Sequence, residues 1–297
     1  MKRALTLAAA ALLAATPAAA QEIAVTMDDL PRHSEAVPGQ SQADIARALL
    51  GAFKSAGVPE VYGFLNGAND RDADTEEVLR LWRAAGHPLG NHGWSHAHLP
   101  DLTPEQLAAE IDRNEPMLAK WMGNADWHWF RYPFLDEGRT PEQRAAIRVE
   151  LARRGYRIAA VTLDFGDWAL NGPYVRCAVK GDKAAMATLE GAYVHAAEVN
   201  LGYFRAMSKA LYGRDIPYVL LTHMGAIDAK MLPAVLAMYK RNGFHFTTLE
   251  KAESNPAYAD QIDPKLAALP AGPEGKMRAK NLPLPPRDLP DYAKLCM

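Results

Sequence analysis

Two adjacent carboxylates, Asp28 and Asp29, follow an apolar segment near the start of the chain. Ile23, Val25 and Met27 alternate before them, which predicts a short strand that ends at the acidic pair. Neighbouring carboxylates repel each other unless a cation or a role as a base compensates. An acidic pair is more often a solvated turn, but its place at the carboxyl end of a strand favours catalysis here. Since successive strand residues point to opposite sides, Asp28 and Asp29 need not share an environment although they adjoin.

Four histidines fall between positions 87 and 98, and two of them have the spacing of metal ligands. His92 and His96 are four residues apart, which in a helical turn brings both imidazoles to one face. Two neutral imidazoles and one carboxylate form a three-ligand set that leaves a position open for water on a catalytic metal. The sequence therefore predicts a metal site here, with His87 and His98 as surface or supporting residues.

Three further polar groups also follow apolar segments. Arg131 follows Phe130, Asp167 comes shortly after an apolar segment, and His223 follows Leu220 and its neighbours. Taken singly, these residues suit an ion pair, a helix cap and a buried core histidine. Active sites of parallel barrels gather at the carboxyl ends of strands, so polar groups at five successive strand ends favour one common catalytic mouth.

The elements that must position these groups alternate between helix and strand. Four helical patterns end in a glycine that precedes an apolar segment, and these glycines are Gly57, Gly86, Gly155 and Gly243. Glycine just past a helix supplies a left-handed cap. Capping boxes with proline at the first helical position mark two helix starts, at Thr103 and Thr140. This alternation predicts an α/β fold with a parallel sheet, either doubly wound or closed into a barrel.

Composition limits the classes of partner. The chain has 297 residues, of which 49% are apolar, and a formal net charge of −2. A chain of this size buries a full core without a disulfide scaffold. Because it has no cluster of Lys and Arg, nucleic acid and acidic membranes are not expected as partners. The two cysteines, Cys177 and Cys296, either pair across a long loop or lie too far apart to meet.

Residues 1–20 have the pattern of a signal peptide. Lys2 and Arg3 give a positive start, residues 4–15 are apolar apart from one threonine, and small residues precede Ala20. This stretch is shorter than the roughly 20 residues of a membrane span, so cleavage after Ala20 is expected. The mature protein is therefore expected to be exported to the periplasm or secreted, with no membrane anchor.

The rest of the chain divides into a barrel and a tail. Residues 21–263 are predicted to form the barrel, with a helical insertion at about 182–212. Residues 264–297 carry seven prolines. Such a composition predicts a tail without regular elements that wraps the surface or stays mobile.

Taken together, these motifs resemble those of NodB-homology polysaccharide deacetylases, carbohydrate esterase family 4. The resemblance covers residues 22–250. It rests on five ordered motifs, which are Asp28-Asp29, His92 to His96, Arg131-x-Pro133, Asp164-x-x-Asp167-Trp168 and Leu221-x-His223. The family implies a distorted parallel (β/α) barrel of seven or eight strands, a divalent metal and hydrolytic removal of acetyl groups.

The resemblance also implies how the metal and the base are held. Asp29, His92 and His96 would be the metal ligands. Zinc is the usual metal, with cobalt, nickel or manganese as alternatives. Asp28 would be the general base, and Arg131 would orient it.

The second half of the family pattern implies the acid and the acyl pocket. His223 would be the general acid, held and charged by Asp167. The backbone amide of Phe134 would help to hold the oxyanion. Trp168 and Leu221 would line the pocket for the acetyl methyl group.

The sequence departs from the family pattern at several places. Gly93 replaces a Ser or Thr whose hydroxyl helps to fix the metal loop. Leu135 stands where a glycine is common, which predicts a narrower groove than a long polysaccharide needs. The segment between the last two motifs is longer than usual, and its candidate rim residues are Tyr174, Arg176 and Tyr193.

Three functions fit these observations. The first is a metal-dependent deacetylase that acts on an N- or O-acetylated sugar, a cell-wall fragment or a related small molecule. The second is an amidohydrolase of the same superfamily that opens a cyclic amide or imide, as allantoinase-like relatives do. The third is a non-catalytic glycan-binding barrel, which the presence of every ligand, base and acid residue disfavours.

Overall fold

A computed structural model describes residues 21–70, 72–266 and 272–297. The predicted signal peptide at residues 1–20 lies outside these ranges. Within them, no helix combines the length and the apolarity that crossing a bilayer requires.

Seven parallel strands form one curved sheet, and they are β1 (Gln21–Leu30), β2 (Val61–Leu65), β3 (Leu89–Asn91), β4 (Trp129–Phe130), β5 (Arg157–Ile158), β6 (Tyr218–His223) and β7 (Phe244–Thr247). The strand order is β5-β4-β3-β2-β1-β6, and β7 also pairs with β1. A bridge between Leu163 and Leu220 brings the chain after β5 back to β6. The expected distorted parallel α/β barrel is therefore confirmed.

Strand β1 is the centre of the sheet. One of its edges pairs with β6, and the other pairs with β7 near its start and with β2 near its end. Every residue from Ile23 to Leu30 is buried, including Ala24 and Thr26. The alternation of the apolar residues therefore does not separate a solvent face from a core face, because both faces of this parallel strand are covered.

Helices surround the sheet, and those in the described residues are α1 (Gln42–Ala56), α2 (Ala73–Ala84), α3 (Pro104–Asp112), α4 (Glu115–Met122), α5 (Pro141–Arg153), α6 (Trp168–Lys180), α7 (Lys183–Tyr212), α8 (Ala226–Arg241), α9 (Leu249–Glu253), α10 (Ala259–Ile262) and α11 (Gly272–Ala279). The capping boxes at Thr103 and Thr140 are both formed, through the backbone amides of Gln106 and Gln143. The four predicted cap glycines all have positive φ.

The segment at 182–212 and the tail pack together. Helix α7 occupies nearly the whole of that segment as one continuous helix. The expectation of a tail without regular elements was wrong, because α11 forms with Pro273 in its first turn, where proline costs no hydrogen bond. A disulfide between Cys177 of α6 and Cys296, with Cα atoms 5.2 Å apart, ties the end of the tail to the barrel.

Candidate active site

Two imidazoles and one carboxylate meet at the carboxyl end of the sheet. The Oδ1 atom of Asp29 lies 3.5 Å from Nε2 of His92 and 3.4 Å from Nε2 of His96. Ligands of a tetrahedral zinc, at bond lengths of about 2.0–2.1 Å, lie roughly 3.3 Å from one another. This oxygen of Asp29 is also buried without a hydrogen-bond partner among the described residues. These three residues, here called the ligand cluster, therefore fit a divalent ion.

His33 is a fourth polar residue at this point, and no motif in the sequence singled it out. Its Nδ1 lies 2.6 Å from Oδ2 of Asp29, and its ring centroid lies 4.8 Å from that of His223. A separation of 2.6 Å is a hydrogen bond and is too short for two ligands of one ion. His33 therefore orients the carboxylate of Asp29 through Oδ2, so that Oδ1 faces His92 and His96.

The charges of the ligand cluster suit a cation. Burial opposes ionisation of Asp29, but the hydrogen bond with His33 and the neighbouring histidines His92 and His223 hold the pKa of that carboxyl well below its usual value. Burial lowers the pKa of His96 to about 4. An ionised carboxylate and a neutral imidazole are the forms that bind a metal.

The loop that carries His92 and His96 is not the helical turn that their spacing suggested. Left-handed backbone at Gly93 (φ 74°) and His96 (φ 58°) bends it instead. The two rings still meet, with centroids 4.9 Å apart. The side-chain amide of Asn66 donates to the carbonyls of His92 (2.7 Å) and Gly93 (3.0 Å). Gly93 therefore supplies a backbone conformation that L side chains rarely adopt, where the family has a hydroxyl.

Glu110 of α3 fixes the same loop. Its carboxylate accepts hydrogen bonds from the amide and the hydroxyl of Ser95, both at 2.8 Å, and its carbonyl accepts one from the amide of Trp94. Sequence reasoning missed this residue. The available sign was a carboxylate beside Leu107 and Ile111 on the apolar face of an otherwise amphipathic helix.

Asp28 lies beside the ligand cluster and is held by a buried arginine. Nη1 of Arg131 donates to Oδ1 of Asp28 at 3.1 Å, and Nε donates to the carbonyl of Ala159 at 2.9 Å. The Oδ2 atom of Asp28 is 3.6 Å from Nε2 of His92. Both carboxylates lie near His92, because positive φ (63°) at Asp29 and a register shift end the strand alternation there.

His223 and Asp167 form a buried histidine–carboxylate pair, which is called the acid pair below. Pairing of β1 with β6 places His223 directly opposite Asp28. Nδ1 of His223 lies 2.9 Å from Oδ1 of Asp167, and the amide of His223 donates to Oδ2 at 2.6 Å. Burial pulls the pKa of His223 down, but the charge and hydrogen bond of Asp167, with smaller help from Asp29 and Asp28, raise it to about 10. His223 is therefore cationic at neutral pH.

Aromatic side chains stand at the rim. Phe134 is 54% exposed, its ring centroid lies 4.3 Å from that of His96, and His98 stacks on it at 3.8 Å. Trp168 is also 54% exposed and follows Asp167 at the start of α6. Leu221 lies within β6 and is only 3% exposed, so little of it is available to a ligand.

Several other predicted positions lie elsewhere. His87 is buried away from the mouth, where its Nδ1 accepts from the amide of Val61 at the start of β2. The prediction that residues of the long segment form the rim of the site was wrong. Tyr174 and Tyr193 are buried, because their rings fill the interface of α6, α7 and α8, and Arg176 instead binds carbonyls of the tail.

Strained backbone gathers around the site. Among the described residues, six that are not glycine have positive φ, and four of them are Asp29, His96, Phe134 and Leu135. Such conformations cost of order 1–3 kcal/mol each and persist where the surroundings determine them. The structure therefore maintains an unfavourable backbone at the ligand cluster and beside its exposed aromatic.

A cavity of about 300 Å³ adjoins the site through Arg131 and Asp164. Leu135 also lines it, and the tail contributes Glu274 and Arg287. Burial and the charge of Asp167 raise the pKa of Asp164. The tail therefore forms part of the wall of a cavity beside the candidate catalytic residues.

Fold and site together define a parallel α/β barrel with a histidine–carboxylate cluster at the carboxyl ends of its strands. A family model described as polysaccharide deacetylase matches residues 15–157. Chitin deacetylase 2 of Saccharomyces cerevisiae is 28% identical over 102 residues, which are 32% of this chain and 28% of the yeast protein. The chain thus aligns with less than a third of that relative.

Solved structures extend the likeness over most of the barrel. The chitin deacetylase of Colletotrichum lindemuthianum has a TM-score of 0.56 at 19% identity and covers 78% of this chain and 87% of its own. A family 4 carbohydrate esterase of Streptomyces lividans in complex with acetate gives 0.51 at 20% identity, with 78% and 95% covered. At such identities the likeness establishes the fold. The resemblance to polysaccharide deacetylases is therefore confirmed, and the chain has the fold of carbohydrate esterase family 4.

Proposed function

We propose that this protein is a metal-dependent deacetylase that removes N- or O-acetyl groups from a carbohydrate or a cell-wall-derived substrate. One observation carries the proposal. The three donor atoms of the ligand cluster have the spacing of a tetrahedral ion, and the Asp28–Arg131 pair lies within 3.6 Å of them. The family match supports the same reaction class.

Zinc is the metal that we propose, with cobalt, nickel or manganese as alternatives. Two imidazole nitrogens and one carboxylate oxygen suit these ions better than magnesium or calcium, which prefer oxygen donors throughout. Asp29, His92 and His96 would hold the ion, which would supply Lewis acidity to polarise the acyl carbonyl and to make a water molecule more acidic.

Asp28 then acts as the general base. Its carboxylate accepts a proton from the water as the water attacks the acyl carbon. The fully buried guanidinium of Arg131 fixes the orientation of this carboxylate. The backbone amide of Phe134 donates to the oxyanion that develops on the acyl oxygen.

His223 acts as the general acid on the leaving group. With a pKa of about 10 it carries a proton at neutral pH, and it transfers this proton to the departing nitrogen or oxygen. Asp167 keeps the ring oriented and charged. Trp168 and Leu221 are proposed to border the pocket for the acetyl methyl group.

We also propose that the protein works outside the cytoplasm. Residues 1–20 have the pattern of a cleaved signal peptide. The disulfide between Cys177 and Cys296 supports this location, because such bonds persist in oxidising compartments.

The test is acetate release by the purified protein from chitooligosaccharides, peptidoglycan fragments and acetylated xylan. Activity should disappear after dialysis against a chelator and return with zinc or cobalt. Full activity of metal-stripped protein would refute the proposed mechanism. Ring opening of a cyclic amide without acetate release would favour the amidohydrolase, and glycan binding without any hydrolysis would favour the non-catalytic barrel.

A further inference from the structure

Two buried groups stand behind the acid pair, and neither belongs to the five motifs. Asp228 lies in the first turn of α8, and Tyr193 lies in the middle of α7. Both have 0% exposed surface. The hydroxyl of Tyr193 donates to Oδ1 of Asp228 at 2.6 Å. The other carboxyl oxygen of Asp228, Oδ2, is buried without a hydrogen-bond donor among the described residues, and the carboxyl that adjoins Asp228 is that of Asp167, the partner of His223.

The interaction between Asp228 and Asp167 depends on how many protons the two carboxyl groups carry. Two carboxylates that both carry a charge cannot hydrogen-bond each other, and Oδ2 of Asp228 would then have no donor. Asp167 already accepts from Nδ1 and the amide of His223 and from the amide of Trp168. These three N–H groups stabilise the charge on Asp167. The shared proton therefore belongs to Asp228.

The charges around the pair agree with this assignment. Burial and the charge of Asp167 raise the pKa of Asp228 well above its usual value. Burial opposes ionisation of Asp167 as well, but His223 holds the pKa of Asp167 below its usual value. The titratable groups that face the pair from the surrounding elements are His223, Asp164, Tyr193 and Tyr239.

The absence of a side chain at Gly225 leaves the space that Oδ2 of Asp228 occupies. A Cβ atom at Gly225 would lie 2.4 Å from Oδ2 of Asp228 and 2.8 Å from Oδ1 of Asn171. An acid in the first turn of a helix often does no more than stabilise the helix dipole. That role does not require a tyrosine from another helix, and it does not require a glycine to clear the space.

We propose that Asp228, as a neutral acid held by Tyr193, is a positioning residue that donates its proton to Asp167 and so fixes the carboxylate that orients His223. The four residues are here called the acid relay. This inference rests on the proposed function, because it assigns His223 the role of general acid. It also gives helix α7 a role at the active site, since α7 supplies Tyr193.

The first test does not depend on activity. The infrared spectrum at neutral pH should contain the C=O band of a neutral carboxylic acid that Asp228→Asn removes. Tyr203→Phe is the matched control, because Tyr203 lies on the same helix and bonds Glu274 of the tail instead. Identical carboxylic-acid bands in wild type and Asp228→Asn would overturn the proposal. Lack of acetate release would refute the proposed function but would leave this result interpretable.

The second test measures the pH profile of acetate release. Asp228→Asn keeps a neutral donor to Asp167, so kcat should change by less than about threefold and the alkaline limb should stay in place. Asp228→Ala removes the donor and should lower kcat by about 10- to 100-fold with KM unchanged, as loss of a supporting hydrogen bond typically does. Tyr193→Phe should have a smaller effect in the same direction. A downward shift of the alkaline limb in Asp228→Asn would overturn the proposal, because it would mean that Asp228 is ionised.

Discussion

The ligand cluster lies at the end of β1 and on the loop after β3, within the first hundred residues, whereas the acid relay joins α6, α7, β6 and α8 in the second half of the chain. Left-handed backbone at Asp29 and His96 shapes these two segments, and hydrogen bonds of Asp29 with His33 and of Ser95 with Glu110 hold them. In the acid relay the backbone is ordinary, and the position of each group depends on buried charge and on hydrogen bonds between elements.

The two regions are expected to fail in different ways. The family match ends at residue 157, so it includes the ligand cluster and stops before the acid relay. Damage to the first region should appear as loss of metal. Damage to the second should appear as a changed pH profile with metal retained.

The largest effect is expected at Asp28, which lies between the ligand cluster and His223. Asp28→Asn keeps its shape but cannot accept a proton, so turnover should fall by about 10² to 10⁴ while the protein still binds about one ion per chain. Asp29→Ala should instead lower metal affinity, with partial rescue of activity by excess metal. Metal analysis beside kinetics on both variants is the measurement. An empty site in Asp28→Asn would reverse the assignment of base and ligand.

The next largest effect is expected when Asp167, which charges the proposed general acid His223, loses its own charge. Protonated His223 exists below its pKa of about 10, so the rate should fall as pH rises through that value. Asp167→Asn removes the charge that raises this pKa, and the alkaline limb should move to lower pH with a drop of about 10² in kcat. The double variant with His223→Ala should be little worse than His223→Ala alone. Fully additive losses would show that the two residues act independently.

A smaller effect is expected from the loss of His33, which supports Asp29 of the ligand cluster. His33→Ala removes the hydrogen bond to Oδ2 of Asp29, and zinc affinity should fall by about 10- to 100-fold. Competition with a chromogenic chelator measures this change without any substrate. His98→Ala is the control, because His98 stacks on Phe134 and does not touch Asp29. Equal zinc affinities for the two variants would show that His33 does not support the metal site.

The smallest effect is on stability alone and should leave the ligand cluster and the acid relay unchanged. Thr140→Ala removes the cap of α5 and should lower the free energy of unfolding by about 1 kcal/mol, as urea denaturation would show. Thr103→Ala makes the same change in α3, which carries Glu110. Thr140→Ala should leave metal affinity and pH profile unchanged. A shift in either one would mean that the site is coupled to distant helix ends.

Much of the fold followed from local patterns. The caps at Thr103 and Thr140 and the left-handed glycines depend on a few consecutive residues, and the structure contains all of them. A strand of five residues, β2, forms in the apolar segment after Gly57, whereas the segment after Gly155 contains a strand of only two residues, β5. Apolar runs predict burial, but the extent of pairing depends on which neighbour reaches them.

The candidate site shows the same division. Residue types and spacing pointed to His92, His96 and one carboxylate, because a metal needs such donors whatever the backbone does, and the resemblance to the family implied that this carboxylate is Asp29. The supports were not predictable. His33 and Glu110 are ordinary polar residues in the sequence, and only the folded loops bring them to the ligand cluster.

By itself, the sequence determined a parallel α/β fold and polar groups at its strand ends, because periodicity, caps and side-chain chemistry are local properties. The choice of a barrel and the roles of the individual residues came from the resemblance to a family. Tertiary structure alone decided that His33 reaches Asp29, that Tyr193 lies buried beside Asp228 and that Cys177 meets Cys296. Each of these depends on a backbone angle or on an approach between distant segments. Such contacts are set by the packing of the whole chain, and no local pattern encodes them.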